Sequence, residues 1–368
     1  MSRKVIIMPD SFKGSMTSAE VASIIGKEAK LAGWETEEIP IADGGEGSIE
    51  CILSVLGGER VATTVYGPDG NLRSAFYGVT NDKTAVLEIA ESTGITKQNS
   101  LNPMTSDTFG FGQMISDALE KGLRKFFICL GGSASTDCGL GMAAALGAKF
   151  YDKEGKEFIP CGGRLKEVAG IDISNLDSRI SESSFRVMSD VESPLYGEKG
   201  AAYVFSPQKG ASPSEVKILD DGLRHVAPLI MEATNTPFEK VKGAGAAGGS
   251  GYGCVAFLKA EIASGIESIL DLVDFDSRVK DADLVITGEG KLDSQSLMGK
   301  VLSGIKKRTA DIPIVSFCGI CDADTEELKT LNVTAVEIGR GIHIDESMRR
   351  GPENLKKAAK QFFSYTEG

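Results

Sequence analysis

Four glycine-rich segments of this chain also carry carboxylates, hydroxyls or lysines, a mixture that could handle an anion together with a metal ion. They are Asp43 to Gly47, Gly131 to Gly139, Gly243 to Gly251, and Thr287 to Asp293. Glycine lets backbone N–H groups crowd around a phosphate, and a helix N-terminus adds partial positive charge. Carboxylate oxygens can hold Mg²⁺ with phosphate oxygens, and an Asp can accept the proton of an attacking hydroxyl. Together the segments favour phosphoryl transfer over a set of unrelated tight turns.

The common nucleotide-binding signatures are absent or out of context. Around Gly299-Lys300, Ser294 and Val301 stand where a phosphate-binding loop has its first glycine and its hydroxyl, so the chain is not a P-loop enzyme. Gly243 to Gly248 fits the Gly-x-Gly-x-x-Gly pattern of dinucleotide-binding folds. The preceding segment, 238–242, is a weak strand outside a clear βαβ unit, which disfavours that fold.

Cysteine and histidine offer few other catalytic options. Cys318 and Cys321 form a Cys-x-x-Cys pair, which could serve redox chemistry or half of a zinc site. The chain has no second such pair and only two histidines, His225 and His343, so a thiol pair at a strand end is the favoured interpretation. A catalytic base should therefore be a carboxylate.

The composition indicates a globular protein that meets anions through local groups. A net charge of -12 disfavours nucleic acid and anionic membranes as partners, so any bound anion must be neutralised locally. Seven scattered cysteines suit a reducing compartment. The sequence shows neither a signal-peptide core nor an apolar run of about 20 residues that could span a bilayer. We expect a cytoplasmic protein, either a monomer or a homodimer.

The elements that must position the glycine segments follow two patterns. A βα rhythm opens the chain, with strands near Val5 to Met8 and Glu38 to Ile41 and a capping box at Thr17 to Glu20. The rhythm returns after Asp276 with three strands, at 284–287, 314–317 and 335–338. Period-two alternation predicts an antiparallel meander at 61–65, 72–79 and 84–89. Mixed elements follow the meander, including strands near Arg186 to Met188 and Ala202 to Phe205 and a long helix over Ser214 to Ala233.

Parallel strands at both ends of the chain would pair most simply in one sheet. We therefore expect an α/β fold in which a Rossmann or flavodoxin-like parallel-sheet domain carries an inserted α+β domain of mixed sheet. The expected boundaries assign 1–65 and 280–368 to the discontinuous domain and 66–279 to the insertion.

In this arrangement the chain resembles the bacterial glycerate kinase family whose members open with an Asp-Ser-Phe-Lys-Gly loop. Seven motifs match in order: Pro9 to Gly14, Ala42 to Gly47, Gly131 to Asp137, Ser189 to Leu195, Pro207 to Ala211, Gly243 to Gly251, and Thr287 to Asp293 with Lys300. The resemblance implies ATP-dependent phosphorylation of D-glycerate, usually to 2-phosphoglycerate, with Mg²⁺ and with a carboxylate as base. We expect the site to lie in a cleft between the domains.

The resemblance also implies roles for particular residues. As catalytic groups we expect Asp190, Asp293 and Lys13, with Asp190 the first choice for the base. Substrate contacts are expected from Asp10, Ser11, Lys13, Asp43, Glu46 and Lys291. Nucleotide contacts are expected from Gly131, Gly132, Ser133, Asp137, Gly243, Gly245, Gly248, Gly249 and Lys300. Glu289 and Asp293 are the expected Mg²⁺ ligands.

The chain departs from the family pattern at a few positions. It has Thr136 where the family usually has Asn, Cys138 where it has Gly, Ser193 where it has Asn, and Lys291 where it has Arg. Lys291 keeps the positive charge without the two-pronged hydrogen bonding of a guanidinium. Two alternatives stay open at this point. One is a non-catalytic two-lobed binder of small acids, and the other is a nicotinamide-dependent oxidoreductase that would use the Gly243 to Gly248 loop.

Overall fold

The computed structural model describes residues 3–41, 44–45, 47–98, 100–293, 300–341 and 343–365, with the side chains of 300, 344 and 365 left out. The strands within these residues are β1 (Lys4–Ile7), β2 (Glu35–Glu38), β3 (Gly58–Tyr66), β4 (Leu72–Thr80), β5 (Thr84–Glu88), β6 (Lys125–Cys129), β7 (Lys149–Tyr151), β8 (Gly170–Asp172), β9 (Ser184–Met188), β10 (Glu261–Ala263), β11 (Leu284–Leu292), β12 (Ile314–Cys321) and β13 (Val333–Glu337).

The α-helices of the same residues are α1 (Ser18–Leu31), α2 (Ser48–Leu56), α3 (Ile89–Thr93), α4 (Phe109–Glu120), α5 (Leu140–Ala145), α6 (Ala201–Phe205), α7 (Pro213–Thr234), α8 (Ser250–Leu258), α9 (Gly265–Leu272), α10 (Phe275–Arg278), α11 (Lys300–Arg308), α12 (Thr325–Thr330), α13 (Ile344–Arg349) and α14 (Gly351–Tyr365). No helix in the described ranges is both long enough and apolar enough to cross a membrane.

The chain divides into two compact units. Met1–Asp43 and Gly265–Gly368 form the first unit, and Gly44–Ser264 form the second. Both boundaries fall earlier in the chain than the expected ones at 65/66 and 279/280. The first difference arises because β3 pairs with β4 along its whole length and so belongs to the sheet of the second unit. At the second boundary, α9 joins the first unit through the ion pairs that Glu267 and Asp271 make with Arg308 of α11.

The sheet of the first unit has five parallel strands in the order β13-β12-β11-β1-β2. The chain leaves β1 toward β2 on one side and re-enters the sheet at β11 on the other, so the strand order reverses between β1 and β11. This is the flavodoxin-like order, in which ligands bind at the carboxyl ends of the strands beside the reversal. The predicted fold class is confirmed for this unit.

Local sequence explains the elements that open the first unit. Val5 and Ile7 are fully buried because α1 and α14 cover their face of the sheet, and Ile6, which points to the opposite face, is fully buried as well. The predicted capping box at the start of α1 is confirmed: the Thr17 hydroxyl accepts from the Glu20 N–H, and the Glu20 carboxylate accepts from the Thr17 N–H. The second strand lies earlier than predicted, at Glu35–Glu38.

The second unit contains a mixed sheet in the order β10-β9-β6-β5-β4-β3 and a small hairpin, β7–β8. β3, β4 and β5 form the predicted antiparallel meander, while β5, β6, β9 and β10 run parallel. The strand predicted at Ala202 to Phe205 is wrong, because Ala201–Phe205 is the helix α6. Its alanines are buried while Tyr203 and Val204 are partly exposed, so successive residues do not alternate as a strand requires.

Candidate active site

A cavity of about 480 Å³ opens at the carboxyl ends of the strands in the first unit. It lies beside the β1/β11 reversal, and its volume falls in the range of small-molecule sites. Its lining comprises Asp10, Ser11, Phe12, Lys13, Ser15, Glu289, Gly290, Lys291, Gly319, Ile320, Ile338, Gly339, Ser347, Met348 and Gly351. Five residues predicted to form the site, Asp10, Ser11, Lys13, Glu289 and Lys291, therefore surround one cavity.

The loop that follows β1 carries the first three of these residues. The Asp10 N–H donates to the Gly288 carbonyl at 2.8 Å, which continues the β1/β11 ladder beyond Ile7. A tight turn then forms because the Phe12 carbonyl accepts from both the Ser15 and Met16 N–H groups. Lys13 is exposed at this turn, in the wall of the cavity. The loop thus presents a carboxylate and an ammonium on a backbone that the sheet holds in place.

The end of β11 supplies alternating charged groups. Glu289, Lys291 and Asp293 are two residues apart, so the pleat of the strand directs Glu289 and Lys291 to the same face. The Lys291 Nζ lies 3.4 Å from Asp293 Oδ2 and 3.0 Å from Asp322 Oδ2. Hydrogen bonds to Asp322 and Asp293 raise the pKa of Lys291. Asp322 was not predicted as part of the site.

A row of glycines crosses three neighbouring strand ends at the floor of the cavity. A Cβ atom on Gly319 would lie 2.6 Å from the Gly290 carbonyl oxygen, and one on Gly339 would lie 2.7 Å from the Gly319 carbonyl oxygen. Both distances are shorter than real Cβ contacts, so only glycine permits the backbones to approach this closely. The floor is consequently bare peptide.

A second group of predicted residues lies at the carboxyl ends of the neighbouring strands β6 and β9 in the second unit. Asp190 follows β9, which pairs with β6, and the Gly131 to Gly139 loop follows β6. The Gly131 N–H donates to the Gly44 carbonyl at 2.8 Å, and a Cβ atom on Gly131 would lie 2.6 Å from Gly45 Cα. Two of the four glycine-rich segments are therefore in backbone contact.

Among the described residues, the Gly131 to Gly139 loop has backbone amides without a hydrogen-bond partner on one side and a buried, hydrogen-bonded carboxylate on the other. Within the described part of the chain the N–H groups of Gly132 and Ser133 make no hydrogen bond, and Gly132 has a φ of 75°. Successive free amides around a left-handed residue form a concavity suited to an anion. Asp137 lies on the buried side, where its carboxylate accepts from the Thr108 N–H and hydroxyl and from the Gly139 and Gly141 N–H groups.

Asp137 was expected to contact the nucleotide. In the structure it is fully buried, and its four hydrogen bonds tie the loop to the start of α4 and of α5.

The Gly243 to Gly251 segment packs its backbone against this loop. A Cβ atom on Gly248 would lie 2.2 Å from the Ser135 carbonyl oxygen, and one on Gly245 would lie 2.4 Å from that of Pro194. The Cys138 N–H donates to the Gly248 carbonyl at 3.1 Å. The residues before the segment, Phe238–Lys240, form a 3₁₀ turn and not the strand that a dinucleotide-binding loop requires. Gly248 and Gly245 therefore let this segment pack closely against the Gly131 to Gly139 loop and against Pro194.

Three ionisable residues of the second unit had no predicted role: Glu88 and Lys209 are buried, and Asp107 is partly buried. Burial raises the pKa of Glu88 to about 7, and its carboxylate accepts from the Gly47 and Ile49 N–H groups at the start of α2. Burial, with the charge of Asp137, raises the pKa of Asp107 to about 7. Burial lowers the pKa of Lys209 to about 7. The Pro207 to Ala211 motif was the only sequence signal for any of the three.

Some predicted residues lie outside the described part of the chain. Asp43 and Glu46 are among them, and Lys300 is described only as the first residue of α11. Among the described residues, no cluster of three or more His, Cys, Asp or Glu side chains could hold a metal ion. Cys318 and Cys321 are free thiols in β12.

Comparison with known proteins places the chain in a family. The model of the glycerate kinase family matches residues 5–367. A glycerate kinase from Halalkalibacterium halodurans is 39% identical over 365 residues, which are 97% of this chain and 96% of that protein. A glycerate 2-kinase from Escherichia coli (strain K12) is 37% identical over 369 residues, which are again 97% of this chain and 96% of that protein.

A solved structure agrees with these sequence matches. The crystal structure of a protein from Salmonella typhimurium LT2, provisionally described as glycerate kinase 2, has a TM-score of 0.86 to this chain at 34% identity. The alignment covers 100% of this chain and 98% of the other. These matches define an enzyme class, the phosphotransferases with an alcohol group as acceptor. Within that class the chain belongs to the glycerate kinase family, which confirms the resemblance stated from its motifs.

Proposed function

We propose that this protein transfers the γ-phosphoryl group of ATP to the 2-hydroxyl of D-glycerate, giving 2-phosphoglycerate and ADP. The observation that carries the proposal is the family match over 5–367, within which all seven motifs occur in the family order. The relative from Escherichia coli named glycerate 2-kinase supports the choice of the 2-hydroxyl. The 3₁₀ turn before Gly243 removes the main support for a nicotinamide-dependent oxidoreductase.

Glycerate would bind in the cavity of the first unit. Lys13 and Lys291 line it and can neutralise the carboxylate of the substrate, while Asp10 and Ser11 can hydrogen-bond its hydroxyls. Asp293 and Asp322 hold the Lys291 ammonium at 3.4 and 3.0 Å, so the cation would be oriented before the substrate arrives. Such preorganisation lowers the entropy lost on binding.

The triphosphate of ATP would bind at the Gly131 to Gly139 loop. The free N–H groups of Gly132 and Ser133 can donate to phosphate oxygens, which suits a chain whose net charge is -12. The Gly243 to Gly251 segment would support this loop through the contact of Gly248 with Ser135.

Mg²⁺ fits the donor groups at the end of β11. Glu289 and Asp293 offer carboxylate oxygens, and Mg²⁺ commonly takes one or two carboxylates with phosphate oxygens and water. When bound, the ion would neutralise charge on the β- and γ-phosphates. In the transfer step the glycerate hydroxyl oxygen forms a bond to the γ-phosphorus as the bond to the bridging oxygen of ADP breaks. Asp190 takes the hydroxyl proton, with Asp293 as the second candidate for this role.

Two measurements test the reaction itself. Coupled ADP release should be fast with glycerate and slow with glycolate or tartronate, and phosphorus NMR should identify 2-phosphoglycerate as the product. Finding 3-phosphoglycerate would overturn the regiochemistry, and failure to release ADP with any of these acceptors would overturn the proposal.

Single carboxamide variants test the base. Asp190→Asn should lower kcat by about 10² to 10⁴, the usual contribution of a general base, with little change in the KM for ATP. Asp293→Asn should instead raise the Mg²⁺ concentration needed for half-maximal rate. If both variants kept wild-type turnover, neither residue would be the base.

A further inference from the structure

Lys209 is buried behind the Gly131 to Gly139 loop. It lies in the 3₁₀ turn Pro207–Lys209, its exposed fraction is 2%, and its Nζ donates to the Ser135 carbonyl at 2.5 Å. Lysine is almost never fully buried unless its charge is paired. The position therefore needs an explanation beyond packing.

No ion pair found among the described residues includes Lys209. The negative charge that raises the pKa of Lys209 against the effect of burial is Asp137, whose carboxylate already accepts four hydrogen bonds from Thr108, Gly139 and Gly141. The bond to the Ser135 carbonyl is the hydrogen bond that the structure gives the ammonium. An ammonium that is buried with so little compensation is costly and is more common at functional sites than elsewhere.

We propose that Lys209 is a positioning residue for the nucleotide: it fixes the Gly131 to Gly139 loop from behind and supplies the positive charge that the loop presents to phosphate. The inference rests on the proposed function, specifically on ATP binding at this loop. The Gly132 and Ser133 amides would contact the phosphates, while Lys209 acts through the peptide of Ser135.

The segment that carries Lys209 is itself fastened to the loop. The Ser206 and Thr136 hydroxyls are 3.0 Å apart, and both residues are fully buried. On the other side, Gly248 packs on Ser135 and accepts from the Cys138 N–H. The Gly131 to Gly139 loop is thus held between the segment of Ser206 and Lys209 and the segment of Gly248. The positive charge at this contact is the ammonium of Lys209.

Electrostatics explains why a buried cation would be effective. Salt and water screen an exposed lysine, whereas a charge in a low-dielectric interior is screened much less. In a chain with a net charge of -12, a triphosphate meets a repulsive overall field and needs a local source of positive potential. Lys209 provides one beneath amides that point at the ligand.

Substitution of Lys209 tests the inference against a charge-matched control. Lys209→Met and Lys209→Gln remove the charge, and Lys166→Met removes an exposed charge of the same unit that pairs with Asp221. Calorimetric Kd values for ATP, ADP, AMP and adenosine are compared at fixed Mg²⁺. We expect Lys209 variants to weaken ATP by about tenfold or more, the usual scale of one charge-assisted contact. The loss of affinity should become smaller from ATP to ADP to AMP, and adenosine should bind with its wild-type Kd. Lys166→Met should leave all four Kd values unchanged.

The KM for glycerate should stay at its wild-type value in the Lys209 variants, because glycerate binds in the other unit. Equal losses for adenosine and ATP would mean that Lys209 only maintains the fold, and unchanged ATP affinity would mean that it does nothing for the nucleotide. Either result overturns the inference while leaving the proposed function intact. A folded wild-type enzyme that binds no ATP would overturn the proposed function and this inference with it.

If the Lys209 variants fail to fold, competition between sulfate and ATP for the wild-type enzyme tests the inference instead. Sulfate keeps its charge over the range in which Lys209 titrates, so its affinity, measured by displacement of ATP, should fall as pH rises through about 7. The other ionisable groups of this region are Asp107, Asp137, Cys138 and Cys161. Asp107 titrates in the same range, so the fall must persist in Asp107→Asn; a pH-independent affinity in that variant would overturn the inference.

Discussion

Asp107 and Asp137 place two carboxylates close together in the second unit. The two differ in how far hydrogen bonds compensate for their removal from water. Asp137 accepts four hydrogen bonds, which compensate for its removal from water. Asp107 accepts one, from the Phe109 N–H at 2.9 Å, and burial and the charge of Asp137 raise its pKa to about 7. Asp107 is therefore the less compensated of the two carboxylates, and it loses its charge as the pH falls through about 7.

This difference predicts a pH-dependent stability. The pKa of Asp107 rises from 3.8 in the unfolded chain to about 7 in the folded one, so the folded state binds more protons between these values. The stabilising effect of protonation is complete below about pH 4 and is lost as pH rises through about 7. Asp107→Asn should remove much of this fall and raise the free energy of unfolding above pH 7 by roughly 2 to 4 kcal/mol.

Urea denaturation of wild type and Asp107→Asn at intervals from pH 4 to pH 8 measures the effect. Asp172→Asn is a suitable control, because Asp172 is an exposed carboxylate of the same unit whose pKa is lowered by a hydrogen bond from Ser174. If Asp107→Asn lost stability with rising pH as steeply as wild type, the account of Asp107 would be wrong.

Sequence reasoning identified residues with recognisable chemistry and missed those whose role depends on burial. Asp10, Lys13 and Glu289 were predicted from the motifs that carry the resemblance to the glycerate kinase family, and they line one cavity. Lys209 occurs in a recognised motif, but Pro207 to Ala211 is a polar turn by composition, and nothing in it shows that the ammonium is buried. Glu88 and Asp107 had no signal at all, because their neighbours come from distant parts of the chain.

At the scale of elements, strand ends determine where the site residues lie. The apolar run 284–287 predicted a four-residue strand, whereas β11 continues to Leu292. The extension arises because Thr287 to Leu292 keeps pairing with β12, with Glu289 opposite Cys318 and Lys291 opposite Ile320. Apolar periodicity cannot reveal a strand whose last residues face a cavity, so the sequence predicted the position of these residues and not their conformation.

The glycine row at the floor of the cavity predicts that a side chain at Gly319 would disrupt the close approach of β12 to β11. Gly319→Ala would bring a Cβ atom to 2.6 Å from the Gly290 carbonyl, and backbone atoms must shift to relieve the clash. We expect a loss of about 1 to 3 kcal/mol of stability, typical of overpacking, and a higher KM for glycerate. Thermal denaturation and initial-rate kinetics measure the two effects.

Gly170→Ala is the matched control, because its nearest contact would lie at an ordinary 3.8 Å. The free energy of unfolding of Gly170→Ala should stay within about 0.5 kcal/mol of the wild-type value, as it does for most substitutions that create no steric clash. A Gly319→Ala enzyme as stable and active as Gly170→Ala would show that the row has no steric role.

At the scale of the whole molecule, the division into units is the feature that the sequence located least well. The alternation between βα and antiparallel patterns correctly suggested a discontinuous parallel sheet. The expected boundary at 65/66 nevertheless separated the strand at 61–65 from the other two strands of the antiparallel meander that the same alternation predicted. The partner of β3 is β4, and the pairing runs from Gly58–Thr80 to Tyr66–Leu72.

The observed division predicts that Gly44–Ser264 folds when expressed alone. This continuous segment contains a complete six-stranded sheet and two hydrophobic clusters of its own. We expect a cooperative thermal transition by circular dichroism and a dispersed amide NMR spectrum. The fragment 66–279 is the control, since it lacks α2 and nearly all of β3 and should be less stable. Equal stability of the two fragments would contradict the observed boundary.

The pairing of β1 with β11, in which Val5 lies opposite Leu284, has a consequence for how the protein is made. During translation β1 leaves the ribosome before β11 is made, with only β2 available beside it, and a two-stranded ribbon is at best marginally stable. The cavity of the first unit is lined by residues from Asp10 to Gly351, so it can form only after residue 351 has been synthesised. A nascent chain released before residue 284 would carry the whole second unit, Gly44–Ser264, and a first unit that lacks β11 and the cavity beside it.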